Sequence, residues 1–331
     1  MELLLKLSAI VVRMLRWLWT PFLCFILFCQ LNHGRFWWQE LVCSFTLYWA
    51  PVVGVGLVVT LYRYKRNRRG LPLLLVMSTL HLSVLFIVVS LARPHVYFGK
   101  WPSMVGKHVS QVGVLVAPFF DSETASARLD VLIHEYQPDV VVMMSNGNAV
   151  QRTKESRMFP FVQEHTAQRG GGIAILSKFP FRETKRDGVG FGALPAMYEQ
   201  LSLPDGSTLE FGALLLSPIT NQSAFEDNKV TARRIVTLVR NSSRHRIVVG
   251  SFFGSPFSKI VSLYTRQGRL RSVMFGRGFR NTWDVQNPFL KLPADHAFVS
   301  RYIEVQDVRL LDVPTAHHRG IFFRAIFEPR P

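Results

Sequence analysis

Apolar residues fall into two arrangements along this chain. Up to about residue 99 they come in long unbroken stretches. Leu41–Tyr62 and Leu71–Ala92 each run 22 residues without a formal charge, taking His81 as neutral, and about 20 such residues cross a bilayer core. Trp17–Leu31 is also uncharged; Arg13 and Arg16 precede it, and their long stems can carry charge to the interface. The pattern predicts three membrane helices. A cleaved signal peptide is the rival reading of the first, but no small-x-small site follows and two further spans do. After Arg93-Pro94 the apolar runs shorten. Val109–Ala117, Asp139–Met144, Ile173–Leu176, Arg246–Val249, Ala297–Val299 and Ile321–Phe327 read as strands. Tyr198–Leu203 and Thr208–Leu216 form a hairpin around Pro204-Asp205-Gly206-Ser207, and the spacing over Ala125–Tyr136 and Asp227–Val239 predicts helices. Strands mixed with hairpins and helices predict a sandwich rather than a doubly wound parallel sheet.

Charge follows the same division. Residues 1–99 hold ten Lys/Arg and two Asp/Glu, the remainder 29 and 20. Arg63-Tyr64-Lys65-Arg66-Asn67-Arg68-Arg69 packs five positive charges between the second and third spans. The positive-inside rule puts that loop in the cytoplasm. Lys6, Arg13 and Arg16 put the N-terminus on the same side, and three crossings leave the C-terminal part outside. The sequence thus reads as a multi-pass protein of the inner or plasma membrane: a membrane domain over 1–99 and an extracytoplasmic domain over 100–331, periplasmic if the host is a diderm. All three cysteines, Cys24, Cys29 and Cys43, lie in the first part, so no disulfide framework or thiolate metal site exists in the second.

Several short runs in the second part resemble, in order, the motifs of the endonuclease/exonuclease/phosphatase superfamily. Asp139-Val140-Val141-Val142-Met143-Met144-Ser145 is similar to its "DvvvlqE" strand. Gly171-Gly172-Ile173-Ala174-Ile175-Leu176-Ser177-Lys178-Phe179-Pro180 is similar to "GvAilSkyP", and Gly212–Pro218 to the strand that carries a His before a Pro. Gly250-Ser251-Phe252-Phe253-Gly254-Ser255-Pro256-Phe257-Ser258 resembles "GDFNatPfS", Ala294-Asp295-His296-Ala297-Phe298-Val299-Ser300 resembles "iDHiFvS", and Thr315-Ala316-His317-His318-Arg319 resembles "SDHrp". The likeness covers about Val109 to Phe327, and the membrane-anchored branch of the family is nearest. It implies a DNase I-like fold: an α/β (α+β) four-layer sandwich of two mixed β-sheets flanked by helices, here preceded by a three-helix transmembrane bundle.

The resemblance also implies a site, and the residues depart from it. The family holds a divalent ion, usually magnesium, through carboxylate oxygens. The Glu position is Ser145, and the early Asn position falls at Ala117 or Pro118. The Asp and Asn of the loop are Ser251 and Phe253, the final Asp is His317, and the upstream His lies in the aliphatic run Ala213–Leu216. Asp295 and His318 persist, as an Asp–His pair that in the family faces the phosphate. They read equally as a buried pair tying two strand ends together. Zinc held by His296, His317 and His318 is a weaker reading, since adjacent residues on a strand point to opposite faces. Asn146 and Asn148 as substitute magnesium ligands is as weak a reading, because neutral ligands hold magnesium poorly and Asn-Gly-Asn is first a turn signal.

The expectation is therefore a pseudoenzyme: a membrane-anchored binding or scaffolding module with Asp295 and His318 as a residual, insufficient pair. His317, His318 and Arg319 are candidates for anion binding, and no cofactor is expected. The alternative is an active phosphodiesterase or phosphatase, dependent on Mg or Mn, with a relocated site acting on lipid or envelope phosphates. Arg152, Lys154, Arg157, Arg169, Lys178, Arg182, Lys185 and Arg186 form a basic stretch, read as a solvated face or as a surface for anionic lipid headgroups. Membrane lipids, an anionic envelope ligand or a protein are the expected partners; nucleic acid is disfavoured.

Overall fold

The structure, a computed structural model, describes residues 18–31, 35–67, 71–96, 109–118, 123–145, 158–166, 172–182, 194–241, 244–287, 289–313 and 316–329. The chain divides into two compact units, one made of Met1–Arg93 and Phe257–Lys259, the other of Pro94–Pro256 and Ile260–Pro331.

The first unit is helical: α1 (Leu18–Leu31), α2 (Trp37–Ser44), α3 (Thr46–Asn67) and α4 (Leu71–Val96). Two of these, α3 and α4, are long and apolar enough to cross a membrane, whereas α1 has 14 described residues. The expected span Leu41–Tyr62 requires correction: the chain turns at Phe45, so its first residues belong to α2 and the long helix starts at Thr46. The helices meet around polar and small residues. A Cβ on Gly56 of α3 would stand 2.3 Å from Cζ2 of Trp19 on α1, so only glycine admits the indole there. The Trp19 Nε1–H donates to Nε2 of the buried His81 on α4 (2.9 Å), and the opposite ring nitrogen, Nδ1, then donates to the Met77 carbonyl (2.6 Å). That pairing fixes the neutral tautomer and satisfies both ring nitrogens.

The second unit is built on two βαβ units. In one, β1 (Ser110–Pro118) leads through α5 (Glu123–Tyr136) to the parallel β2 (Val140–Ser145). In the other, β6 (Thr208–Leu215) leads through α6 (Gln222–Asn241) to the parallel β7 (Arg246–Ser251). Antiparallel strands flank each pair: β3 (Phe161–Thr166), β4 (Gly172–Ser177), β10 (Glu304–Leu311) and β11 (Gly320–Phe327) in the first sheet; β5 (Ala196–Ser202), β8 (Leu270–Ser272) and β9 (Asp295–Ser300) in the second. The orders are β10-β11-β1-β2-β4-β3 and β5-β6-β7-β9-β8. The short α7 (Lys259–Arg266) follows β7.

Period-two alternation sorts side chains between two faces. Val112, Val114 and Val116 of β1, with Val140, Val142 and Met144 of β2, enter the core between the sheets, where they share a cluster with Phe211, Ile247, Val249, Ala297, Val299 and Phe323. Their neighbours Leu115, Ala117, Val141 and Met143 face outward and are covered by Leu129, Leu132 and Ile133 of α5. Helix α6 buries Phe225, Ala232, Ile235, Val236 and Val239 and lies against β5 and β6. The β5–β6 hairpin closes as expected: Gly206 takes φ +79°, and Asp205 Oδ1 accepts from the Ser207 N–H (2.8 Å).

Backbone closeness peaks where β6 meets β7. Gly250 pairs with Leu214, and a Cβ on Gly250 would lie 2.1 Å from the Leu214 carbonyl oxygen. Backbone, unlike a side-chain tip, cannot swing away. Gly250→Ala should therefore destabilise the domain by about 3 kcal/mol, the upper end of ordinary overpacking, read as a lowered denaturant midpoint; an unchanged midpoint would refute this close approach.

Candidate functional site

Strand direction gathers the site positions at one end of the sandwich. β1 and β2 are parallel and end at Pro118 and Ser145; β7 ends at Ser251, opposite the first residue of β9, Asp295; β11 begins at Gly320, just after His318. Alternation puts Ser251 and Asp295 on the inter-sheet side, in phase with Val249 and Ala297. It also separates the two candidates for the early Asn position: Ala117 faces α5, and Pro118 falls on the other side.

One hydrogen bond crosses between the sheets here. His318 Nδ1 lies 2.8 Å from Asp295 Oδ2, with both side chains almost completely buried. The carboxylate holds the imidazole in the Nδ1–H tautomer. Thr282 supports Asp295 from below: its Oγ1 accepts from the N–H groups of Ala294 (3.0 Å) and Asp295 (2.9 Å). The segments around Thr282 and His318 are laced by backbone bonds, Val285 N–H to the His317 carbonyl (3.0 Å) and Arg319 N–H to the Thr282 carbonyl (2.9 Å). The Trp283 ring centroid stands 6.4 Å from that of His318. Thr282 and Trp283 carried no signal in the sequence, because the irregular segment around them has neither alternation nor a motif.

Among the described residues, two polar atoms at this end are buried without a hydrogen-bond partner: Ser251 Oγ and Asp295 Oδ1, on residues directly opposite in the β7–β9 register. Phe253 closes the site from the loop after β7. Its ring meets that of His318 edge to face, 5.8 Å between centroids, and it packs on the inter-sheet core. Phe253 adopts φ +45°, a left-handed conformation costing a bulky residue about 1–2 kcal/mol and favoured by asparagine.

The three expected anion ligands each face a carboxylate. His317 Nδ1 bonds to Asp284 Oδ1 (2.9 Å), His318 to Asp295, and Arg319 Nε to Asp312 Oδ1 (2.6 Å). Each of the three side chains therefore already has an acidic partner. Burial works against ionisation of Asp284, but hydrogen bonds from His317 and the Gln286 N–H outweigh it and hold the carboxyl below its ordinary range. The donor set does not fit magnesium, which takes oxygen ligands and favours carboxylates. Asp284 is bonded to His317 and Asp312 to Arg319, and among the described residues no three His, Cys, Asp or Glu side chains group as a metal site.

His296 turns to the outer face. Its Nε2–H donates to the Gly254 carbonyl (2.8 Å), and its ring joins Phe252, Tyr264 and Phe298 in an aromatic cluster. It does not face His318, which removes the three-histidine arrangement. Of the basic stretch, Lys178 pairs with Asp139 (3.2 Å) and Arg182 is exposed; Arg152, Lys154, Arg157, Arg169, Lys185 and Arg186, like Asn146 and Asn148, lie outside the described residues.

No protein-family model matches the sequence, and no curated protein matches it. Solved structures do share its fold. D. rerio TDP2 complexed with single-strand DNA product matches at TM-score 0.55 and 16% identity over 65% of this chain and 99% of that one. The human Nocturnin catalytic domain with bound sulfate matches at 0.53 and 12% over 69% and 99%. An endonuclease/exonuclease/phosphatase from Bacteroides vulgatus matches at 0.52 and 15% over 67% and 100%. The likeness is one of fold: two mixed β-sheets flanked by helices, the DNase I-like arrangement of that superfamily.

Burial pushes the His296 imidazole below its ordinary 6.5, although the Gly254 carbonyl and Asp295 oppose this. Just below pH 6.5 the unfolded chain then binds more protons than the folded one, so stability is full above that value and falls as the pH drops through it. Urea midpoints between pH 7.5 and 5.5 should decline in the native protein and flatten in His296→Gln; equal slopes would disprove the assignment.

Proposed function

We propose that this protein is membrane-anchored and that its endonuclease/exonuclease/phosphatase-like domain is a binding or scaffolding module at the cell envelope without phosphoesterase turnover. The observation that carries the reading is Phe253, with its ring against His318 on a loop whose backbone suits asparagine. A phosphate brought to His318 would meet an apolar ring edge that neither donates nor accepts a hydrogen bond. Ser251, opposite Asp295, supplies a hydroxyl where the resembled motif has a carboxylate. Losing one member of a catalytic group typically costs several powers of ten in rate, and here Ser145, Ser251, Phe253 and His317 all depart from the motif.

The anchor consists of α3 and α4, with α1 as a third crossing, over a membrane domain of residues 1–99. The basic loop at Arg63–Arg69 is cytoplasmic by the positive-inside rule. The domain over 100–331 is then extracytoplasmic, periplasmic in a diderm, with membrane lipids as its neighbours. A reporter fused after Lys100 should behave as exported; cytoplasmic activity there would overturn this topology.

The buried Asp295–His318 pair favours a second reading, an Mg- or Mn-dependent phosphodiesterase or phosphatase acting on lipid or envelope phosphates. The two readings separate in one experiment on the purified full-length chain: calorimetric titration with Mg²⁺ or Mn²⁺ beside turnover of a chromogenic phosphodiester. We expect no turnover above background. Millimolar-or-tighter metal binding, with turnover that His318→Ala abolishes, would establish the enzyme instead.

A further inference from the structure

At the end of the second sheet away from His318, three arginines converge on one tyrosine. Arg246 begins β7, Arg244 precedes it, and Arg301-Tyr302 follows the last residue of β9. Six-residue strands separate this cluster from the Ser251–Asp295 end by about 17 Å. The Arg244 guanidinium carbon lies 3.9 Å from the Tyr302 ring centroid and that of Arg301 4.7 Å, so the two are no further apart than those distances combined. Arg301 Nη2 also donates to the Tyr302 hydroxyl (2.5 Å). Arg246 is tethered through Nη1 to the Val239 carbonyl (2.5 Å), and its N–H bonds to Ser300 Oγ (3.4 Å).

The charges in this cluster are under-compensated. Among the described residues no carboxylate stands within ion-pairing distance of Arg244, Arg246 or Arg301. Glu210, beside Arg246 in the β6–β7 register, acts on it only at longer range. The Nε atoms of Arg244 and Arg246 are buried without a hydrogen-bond partner. Arg309, Arg319 and Lys178, by contrast, each have a carboxylate, and Arg277 is held by the carbonyls of Val273 and Val305. Desolvation pulls Arg246 below its ordinary value, and the Arg301 charge adds to that. The Arg301 hydrogen bond, with the charges of Arg301, Arg244 and Arg246, does the same to the Tyr302 phenol. Like charges held together on an ordered aromatic platform are stabilised by an oxyanion, and guanidinium forks suit the oxygens of a phosphate.

We infer that Arg244, Arg246, Arg301 and Tyr302 form an anion site for a phosphate group, separate from the His318 end. The phosphate belongs either to a lipid headgroup or to a soluble phosphate; the same forks serve both. The test uses the full-length chain in phosphatidylcholine nanodiscs, titrated calorimetrically with inorganic phosphate. Saturable binding is expected, weakened about tenfold or more in Arg244→Gln/Arg301→Gln and unchanged in His318→Ala. Arg244→Lys/Arg301→Lys, which keeps the charge but loses the forks, should fall between, and unfolding temperatures matching the parent verify folding. Repeating the titration with phosphatidic acid in the nanodisc identifies the source. A reduced apparent phosphate affinity means that a lipid phosphate reaches the site, and an unchanged one assigns it to a soluble phosphate. No saturable binding, binding retained in the glutamine variant, or binding lost in His318→Ala overturns the inference.

Discussion

The bond from His318 to Asp295 ties the loop before β11 of the first sheet to the start of β9 in the second, and the geometry of that end follows from it. It is almost dry, which makes it consequential. A buried imidazole or carboxylate deprived of its partner bears a desolvation penalty of about 1–3 kcal/mol or more, whereas the intact bond nets far less. Removing either side chain would therefore be felt mainly as the strain of the one left behind. Thr282 adds a second constraint, because one hydroxyl gathers the N–H groups of Ala294 and Asp295 and so fixes where β9 starts. The pair thus has a structural job that is independent of any chemistry.

The sandwich was legible in the sequence wherever strands are buried on both faces. Val112–Ala117 and Val140–Met144 are runs without a polar residue, and Ile321–Phe327 is interrupted by Arg324 alone, because the core lies on one side and α5 on the other. Edge elements were not legible. β10 reads Glu-Val-Gln-Asp-Val-Arg-Leu-Leu, and a register shift between Gln306 and Arg309, with Asp307 at φ +47°, breaks its alternation. β3 carries Gln163, Glu164 and His165 at the outer edge, and β8 has only three residues. Such strands are specified by their partner more than by their own pattern. The turn at Phe45 was invisible for a related reason, since an apolar residue at a bend looks the same as one inside a helix.

At the candidate site the sequence could name the positions but could not assign partners. The motif order marked Ser251, Phe253, Asp295 and His318, and the strands bring three of them to one β7–β9 end with His318 across from it. It could not foresee that Asp284 would bond to His317 and Asp312 to Arg319, because both aspartates lie in irregular segments, far from those partners in sequence or separated from them by a loop. Charge counts from composition are silent on this matter. A basic chain can present a neutral cleft and keep its uncompensated arginines elsewhere, as the cluster around Tyr302 does.

The left-handed backbone at Phe253 bears on which residues the loop can carry. A phenylalanine gains nothing from φ +45°, so that conformation is imposed by the surrounding loop and would persist whatever residue stood there. The main chain suits an amide side chain better than the phenyl ring it holds. An asparagine here would require no rearrangement of the fold and would relieve strain as it brought a polar group beside His318. At this position the shape of the loop and the chemistry it presents are therefore set separately: the neighbours dictate the first, and one side chain decides the second.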